Sequence, residues 1–128
     1  KTKEEVVRLD PNKPIKYHGD QSVAFAKVDK ALFGEFEGMT AWKDIVRKAI
    51  KNAINKGKRE FIENNISIVK EIDGDSFSMR DADADECCAT AVKIAKELDE
   101  PLRIEFHWRN RDGAYHPGKS GEVVYPNE

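Results

Sequence analysis

In the run "PLRIEFHW", residues 101 to 108, Leu102, Ile104, Phe106 and Trp108 stand at every second position between Arg103, Glu105 and His107. Only a strand sends alternate side chains to opposite faces, so this run demands a sheet with one apolar face covered and the other wet. An amphipathic helix is the natural cover. "TAWKDIVRKAIKNAI", residues 40 to 54, supplies one, with Trp42, Ile45, Val46, Ala49, Ile50 and Ala53 at helical spacing, Thr40 as the expected N-cap and Gly57 interrupting beyond.

The remaining segments are placed around these two. "SVAFAKVDKALF", residues 22 to 33, reads as a short helix with Phe25, Val28 and Leu32 on its apolar face and Gly34 ending it. Residues 34 to 39 read as a turn, and Phe61 and Ile62 as a second docking point. Residues 64 to 80 leave room for one short strand and a Gly-Asp turn, and residues 84 to 98 for another helix. After the Asp-Gly turn signal in "NRDGAYH", "EVVY" reads as a strand at a sheet edge. The expected architecture is α+β or α/β, with helices early in the chain packed on a small sheet formed late. An N-terminal arm at residues 1 to 17 precedes a single domain at 18 to 128, and a chain opening on Lys1 reads as part of a larger parent.

Basic and acidic residues nearly balance, 22 against 24, which argues against a broad phosphate-binding face. No apolar run reaches bilayer length and no signal peptide opens the chain. The two cysteines, Cys87 and Cys88, are neighbours and cannot bridge each other without strain. These features favour an intracellular setting, cytoplasmic or nuclear.

"DADADECC", residues 81 to 88, poses the sharpest chemical question. Asp81, Asp83 and Asp85 match the first ligands of a calcium loop, but the glycine and the closing glutamate of such a loop are Glu86 and Val92 here. A helix start explains the run without a metal: Asp83 caps, Glu86 stands three residues on as in a capping box, and the cysteines face the core. Zinc would have to draw on His18, His107, His116 and the cysteines, which show no ligand-pair spacing, so neither metal nor cofactor is expected. Asp73 and Asp75 flank Gly74 as turn residues, and His107 belongs to the wet face of its strand. Basic residues at 47, 48, 51, 56, 58 and 59, near Trp42, form either a positive strip or the wet side of a helix. Nucleic acid is the less favoured partner.

The order of elements resembles the ovarian-tumour (OTU) family of cysteine proteases, which remove ubiquitin. "GDQSVAFAKVDKALFG" is similar to the family's cysteine-bearing helix start, "AWKDIVRKAIKNAI" to the helix packed on it, and "ADADECCATAVKIAKELDEPLRIEF" to its alanine-rich helix and proline-led strand. "AYHPG" lies where the family places its histidine, so the resemblance covers residues 18 to about 117. It implies a papain-related fold whose cleft is lined by Asp20, Ser22, Val23 and His116. Val23 occupies the expected nucleophile position, and a valine can neither ionise nor hold an acyl group. The implied protein is therefore a catalytically inactive OTU-like domain that serves a larger protein as a protein-interaction or structural module, with ubiquitin or a ubiquitin-like protein as the implied partner. Two alternatives stand beside it. One is an active hydrolase of the same fold using Ser22 or another nucleophile with His116 as base; the other is an unrelated small α/β module that binds nucleic acid or protein through its basic helix, with Lys48, Lys51 and Lys58.

Overall fold

The computed structural model describes residues 15–17, 21–74 and 76–126, so most of the expected N-terminal arm, His18, Asp20 and Asp75 lie outside the described residues. Ten elements follow in chain order. They are β1 (Ile15–Lys16), β2 (Ala26–Phe33), β3 (Phe36–Glu37), α1 (Trp42–Asn55), α2 (Arg59–Asn65), β4 (Val69–Asp73), β5 (Ser76–Met79), α3 (Ala84–Leu98), β6 (Leu102–Trp108) and β7 (Ser120–Tyr125). One sheet has the order β1-β7-β6-β2-β3, and β4 and β5 form a separate hairpin. The class is α+β.

The alternation that opened the sequence reading is realised. Leu102, Ile104, Phe106 and Trp108 are buried, and Arg103, Glu105 and His107 take the other face. The cover is α1 packed beside α3. Ile45, Val46, Ala49, Ile50 and Ala53 of α1 share the core with Cys88, Ala91, Ile94 and Ala95 of α3. Alanines on both helices let the backbones approach closely over the sheet. Burying a large aliphatic side chain of this kind stabilises the fold by roughly 1.5–3 kcal/mol.

The helix expected at residues 22 to 33 is the strand β2. Its buried positions are Val28, Ala31 and Phe33, a step of three and then of two. A bulge explains the first step. Val28 pairs with Phe106 and Lys30 with Glu105, leaving Asp29 as an extra residue that shifts the alternation by one. Three-residue spacing produced by a bulge imitates one turn of a helix. The expected apolar face also dissolves: Phe25 is exposed and Leu32 only half-buried. With β2 and β3 early in the chain, the sheet is not assembled from late segments alone.

Smaller differences have local causes. Thr40 is not the cap of α1; Ala41 takes that position with no side-chain bond, its carbonyl accepting from the Ile45 amide at 3.1 Å. Gly57 ends the helix as expected, with φ at 80°. Ile62 docks α2 in the core. Residues 64 to 80 hold two strands, not one, joined through Gly74.

Nor is β7 an edge strand, because Ile15 and Lys16, expected in the arm, pair with it in parallel and the Tyr17 amide donates to the Glu122 carbonyl at 2.9 Å. Glu122 is 5% exposed, on the face of the sheet opposite α1 and α3. It is balanced by Lys16 at 2.6 Å and Arg103 at 3.1 Å.

Candidate functional site at the loop end of the sheet

Strand β2 begins where β6 ends and β7 begins, since Ala26 pairs with Trp108 and His107 with Ser120. Three segments meet at this end of the sheet: residues 21 to 25, the first turn of α3, and the loop 109 to 119. Two of the sequence-derived site residues, Ser22 and His116, come together here around Trp108. The Trp108 indole Nε1 donates to the Ser22 carbonyl at 2.8 Å, and its ring meets His116 edge-on at 5.0 Å.

The first turn of α3 answers the question raised by its aspartates. The Asp83 carboxylate accepts the Glu86 amide at 2.8 Å as the cap. Half of the capping box is used elsewhere, because the Glu86 carboxylate turns to Arg80 at 2.8 Å. Arg80 holds that carboxylate below its ordinary range. Asp81 is exposed and lies 3.7 Å from Lys43. Asp85 accepts the Ser22 hydroxyl at 2.8 Å and the Val23 amide at 2.7 Å. The three carboxylates serve three separate purposes. Among the described residues no three His, Cys, Asp or Glu side chains gather as a metal site would require.

Each residue considered as nucleophile or base has a defined setting. The Ser22 hydroxyl donates to Asp85 while its oxygen accepts the Ala24 amide at 3.1 Å, so its one O–H is already engaged. His116 makes ring contacts with Trp108 and Tyr115, and its side chain has no polar partner among the described residues. Val23 is fully buried in the core. Cys87 and Cys88 are buried on α3. Burial pushes the Cys88 thiol up to about 12, although a hydrogen bond with Tyr17 opposes the shift. Burial also raises Cys87, against the pull of Lys43. A thiol held neutral is a poor nucleophile.

The same end carries a surface that sequence reasoning placed inside a helix. Phe25 has φ of 63°, the left-handed region that a bulky residue rarely enters. Its carbonyl accepts the Arg109 amide at 2.9 Å, which fixes the backbone, and its ring is 42% exposed. The Arg111 guanidinium lies 4.2 Å from the centre of that ring. Gly113 makes room, since a Cβ there would stand 3.0 Å from the ring edge. Tyr115, 48% exposed, continues the surface through His116 at 4.7 Å. Behind it the aromatics form an unbroken row into the core: His116 to Trp108, Trp108 to Phe106 at 4.9 Å, and Phe106 to Trp42 at 5.4 Å. No local pattern announces a left-handed phenylalanine. The turn "NRDGAYH", where Tyr115 stands beside His116, was the one available signal.

Other candidate residues resolve elsewhere. His107 lies on the face opposite α1 and α3, with its Nδ1 2.9 Å from Asp29. Of the six basic positions on and after α1, Lys56 pairs with Glu100 at 2.8 Å, Lys58 with Glu97 at 3.1 Å and Arg59 with Glu63 at 3.4 Å. Trp42 is buried and takes no part in that strip. Of the segments behind the OTU resemblance, α1, α3 and the proline-led strand β6 are elements of the expected kind, and residues 22 to 33 are not. None of the helices among the described residues is long and apolar enough to cross a membrane. No family model, no curated protein and no solved structure matches the chain, so the chemistry of its own surface carries the functional reading.

Proposed function

We propose that this domain is a non-catalytic protein-interaction module that presents the loop end of its sheet to a partner. The observation that carries the reading is Phe25, exposed in a left-handed backbone conformation, stacked by Arg111 and standing beside Tyr115. A strained conformation persists only where the surroundings over-determine it, and such sites concentrate at binding and active sites. Aromatic and arginine side chains are also the groups that dominate protein interfaces. The commitment of Ser22 to Asp85 and the burial of Val23 support binding over hydrolysis.

A degenerate OTU-like origin names the first partner to try, ubiquitin or a ubiquitin-like protein. The test is a titration of isotope-labelled ubiquitin followed by NMR, with a fluorogenic ubiquitin cleavage assay alongside. The reading expects saturable shifts without turnover, and loss of about 2 kcal/mol or more of binding when Phe25 and Tyr115 are both changed to alanine. Turnover would restore the hydrolase with Ser22 or another nucleophile. Shifts that the double variant leaves unchanged would move the interface away from this end, and silence would remove ubiquitin as the partner.

A further inference from the structure

A second feature lies at the opposite end of β2. A groove of about 460 Å³ runs between β3 and the β4–β5 hairpin, bordered by Glu37, Gly38 and Met39 on one side and Phe77 on the other, along α1. Arg47, Lys48 and Lys51 of α1 line it. The contrast with their neighbours is informative. Lys56, Lys58 and Arg59 each have an acidic partner, whereas among the described residues no carboxylate stands within ion-pair distance of Arg47, Lys48 or Lys51. Lys48 instead places its ammonium 4.8 Å from the centre of the exposed Phe36 ring. The three cations are left for a ligand from outside.

We propose that this groove binds an extended acidic peptide segment, one with carboxylates at alternate positions. Arg47 and Lys51 are one helical turn apart, so their Cβ atoms are separated by about 5–6 Å. On an extended chain, residues two apart advance about 6.5 Å and point the same way. Alternate carboxylates therefore meet the two cations in register. Among the described residues β3 is the outermost strand of its sheet, and its outer backbone edge offers a peptide main-chain bonds alongside the charge contacts. Met39 and Phe77 give the peptide's methylenes an apolar wall.

Glu37 and Asp44 on the rim decide between classes of polyanion. A nucleic acid strand brings a charge with every nucleotide and meets both acids. A peptide places its carboxylates only where the cations stand.

The experiment uses a fluorescently labelled peptide of glutamates alternating with valines, read by anisotropy at low and moderate salt. Controls are the glutamine version, a peptide of the same composition with its glutamates adjacent, and a single-stranded oligonucleotide. The alternating peptide is expected to bind, to weaken as salt rises, and to lose at least about tenfold in affinity in R47E/K51E. Lys58→Glu, outside the groove, should leave its affinity unchanged, and thermal melts establish that every variant is folded. Equal binding of the glutamine peptide, tighter binding of the oligonucleotide, or no binding of the alternating peptide would each overturn the proposal. None of these outcomes depends on ubiquitin or on the loop end of the sheet.

Discussion

The Asp85 carboxylate accepts the hydroxyl of Ser22 at 2.8 Å, joining the first turn of α3 to a segment 63 positions earlier in the chain. The same carboxylate also accepts the Val23 amide at 2.7 Å, which makes the junction bidentate. Replacing Asp85 by alanine leaves a half-buried amide and a hydroxyl without their acceptor. The expected cost is about 1–3 kcal/mol, against about 1 kcal/mol for Ser22→Ala. Urea unfolding of both variants measures the difference. The same geometry predicts that a serine-directed fluorophosphonate leaves the folded protein unlabelled; labelling of Ser22 would show a hydroxyl free of its carboxylate.

Phe25 and its backbone make opposing demands. Phenylalanine in the left-handed region costs about 1–2 kcal/mol, a strain glycine does not feel. The stack on Arg111 returns part of that cost. Phe25→Gly is therefore expected to stay within about 1 kcal/mol of the parent in stability while losing partner binding. A thermal melt and a ubiquitin titration on the same sample separate the two effects. A large drop in melting temperature would make the phenylalanine a structural element instead.

Gly121 is held to glycine by space and not by its backbone. A Cβ there would stand 2.6 Å from the Phe106 ring and 3.0 Å from that of Trp108. Phe106 is wedged between Trp42 and Trp108 and has little room to give. Gly121→Ala should cost about 1–3 kcal/mol by overpacking. Adding Phe106→Leu should recover part of the loss, so a double-mutant cycle in urea should give a favourable coupling between the two sites.

Cys88 makes stability fall at high pH. Its thiol sits at about 12 in the folded chain against an ordinary 9.0. Between those values the unfolded chain has lost its proton and the folded chain has kept it, so stability declines as pH rises from the lower value through the upper. Urea midpoints measured at about pH 8 and about pH 10.5 should fall less in Cys88→Ala than in the parent. Iodoacetamide should modify Cys88 only at the rate of unfolding.

Where burial and pattern agreed, the fold was legible. The strand at 102 to 108 and the helices at 42 to 55 and 84 to 98 each carry one periodicity over two turns or more, and their packing obeys it. β2 was not legible because a single extra residue, Asp29, converts strand spacing into something that looks helical. β1 escaped because two residues have no periodicity, and their place beside β7 is set by pairing with a partner more than a hundred positions away. The candidate site divided in the same way. Ser22 and His116 were visible as candidates, but the left-handed turn at Phe25 depends on the Arg109 amide and the space above Gly113, both supplied by a distant loop. The groove along α1 shared this fate. Its cations were visible, and which of them would be neutralised was a matter of where Glu63, Glu97 and Glu100 came to rest.

The strand order β1-β7-β6-β2-β3 places the latest strands of the described chain inside the sheet and the earliest ones around them. On a ribosome, β2 and β3 emerge long before β6, and β1 waits for β7. The hairpins and α1 leave the tunnel with their apolar faces and nothing to lay them on. β3, β2 and β6 can pair before β7 emerges, but the sheet is complete only once residues 120 to 125 are free. β1 has no place in the sheet until β7 is there to receive it. Deleting β7 should leave a polypeptide that chaperones hold and proteases remove, while loss of the outer strand β3 would be far better tolerated.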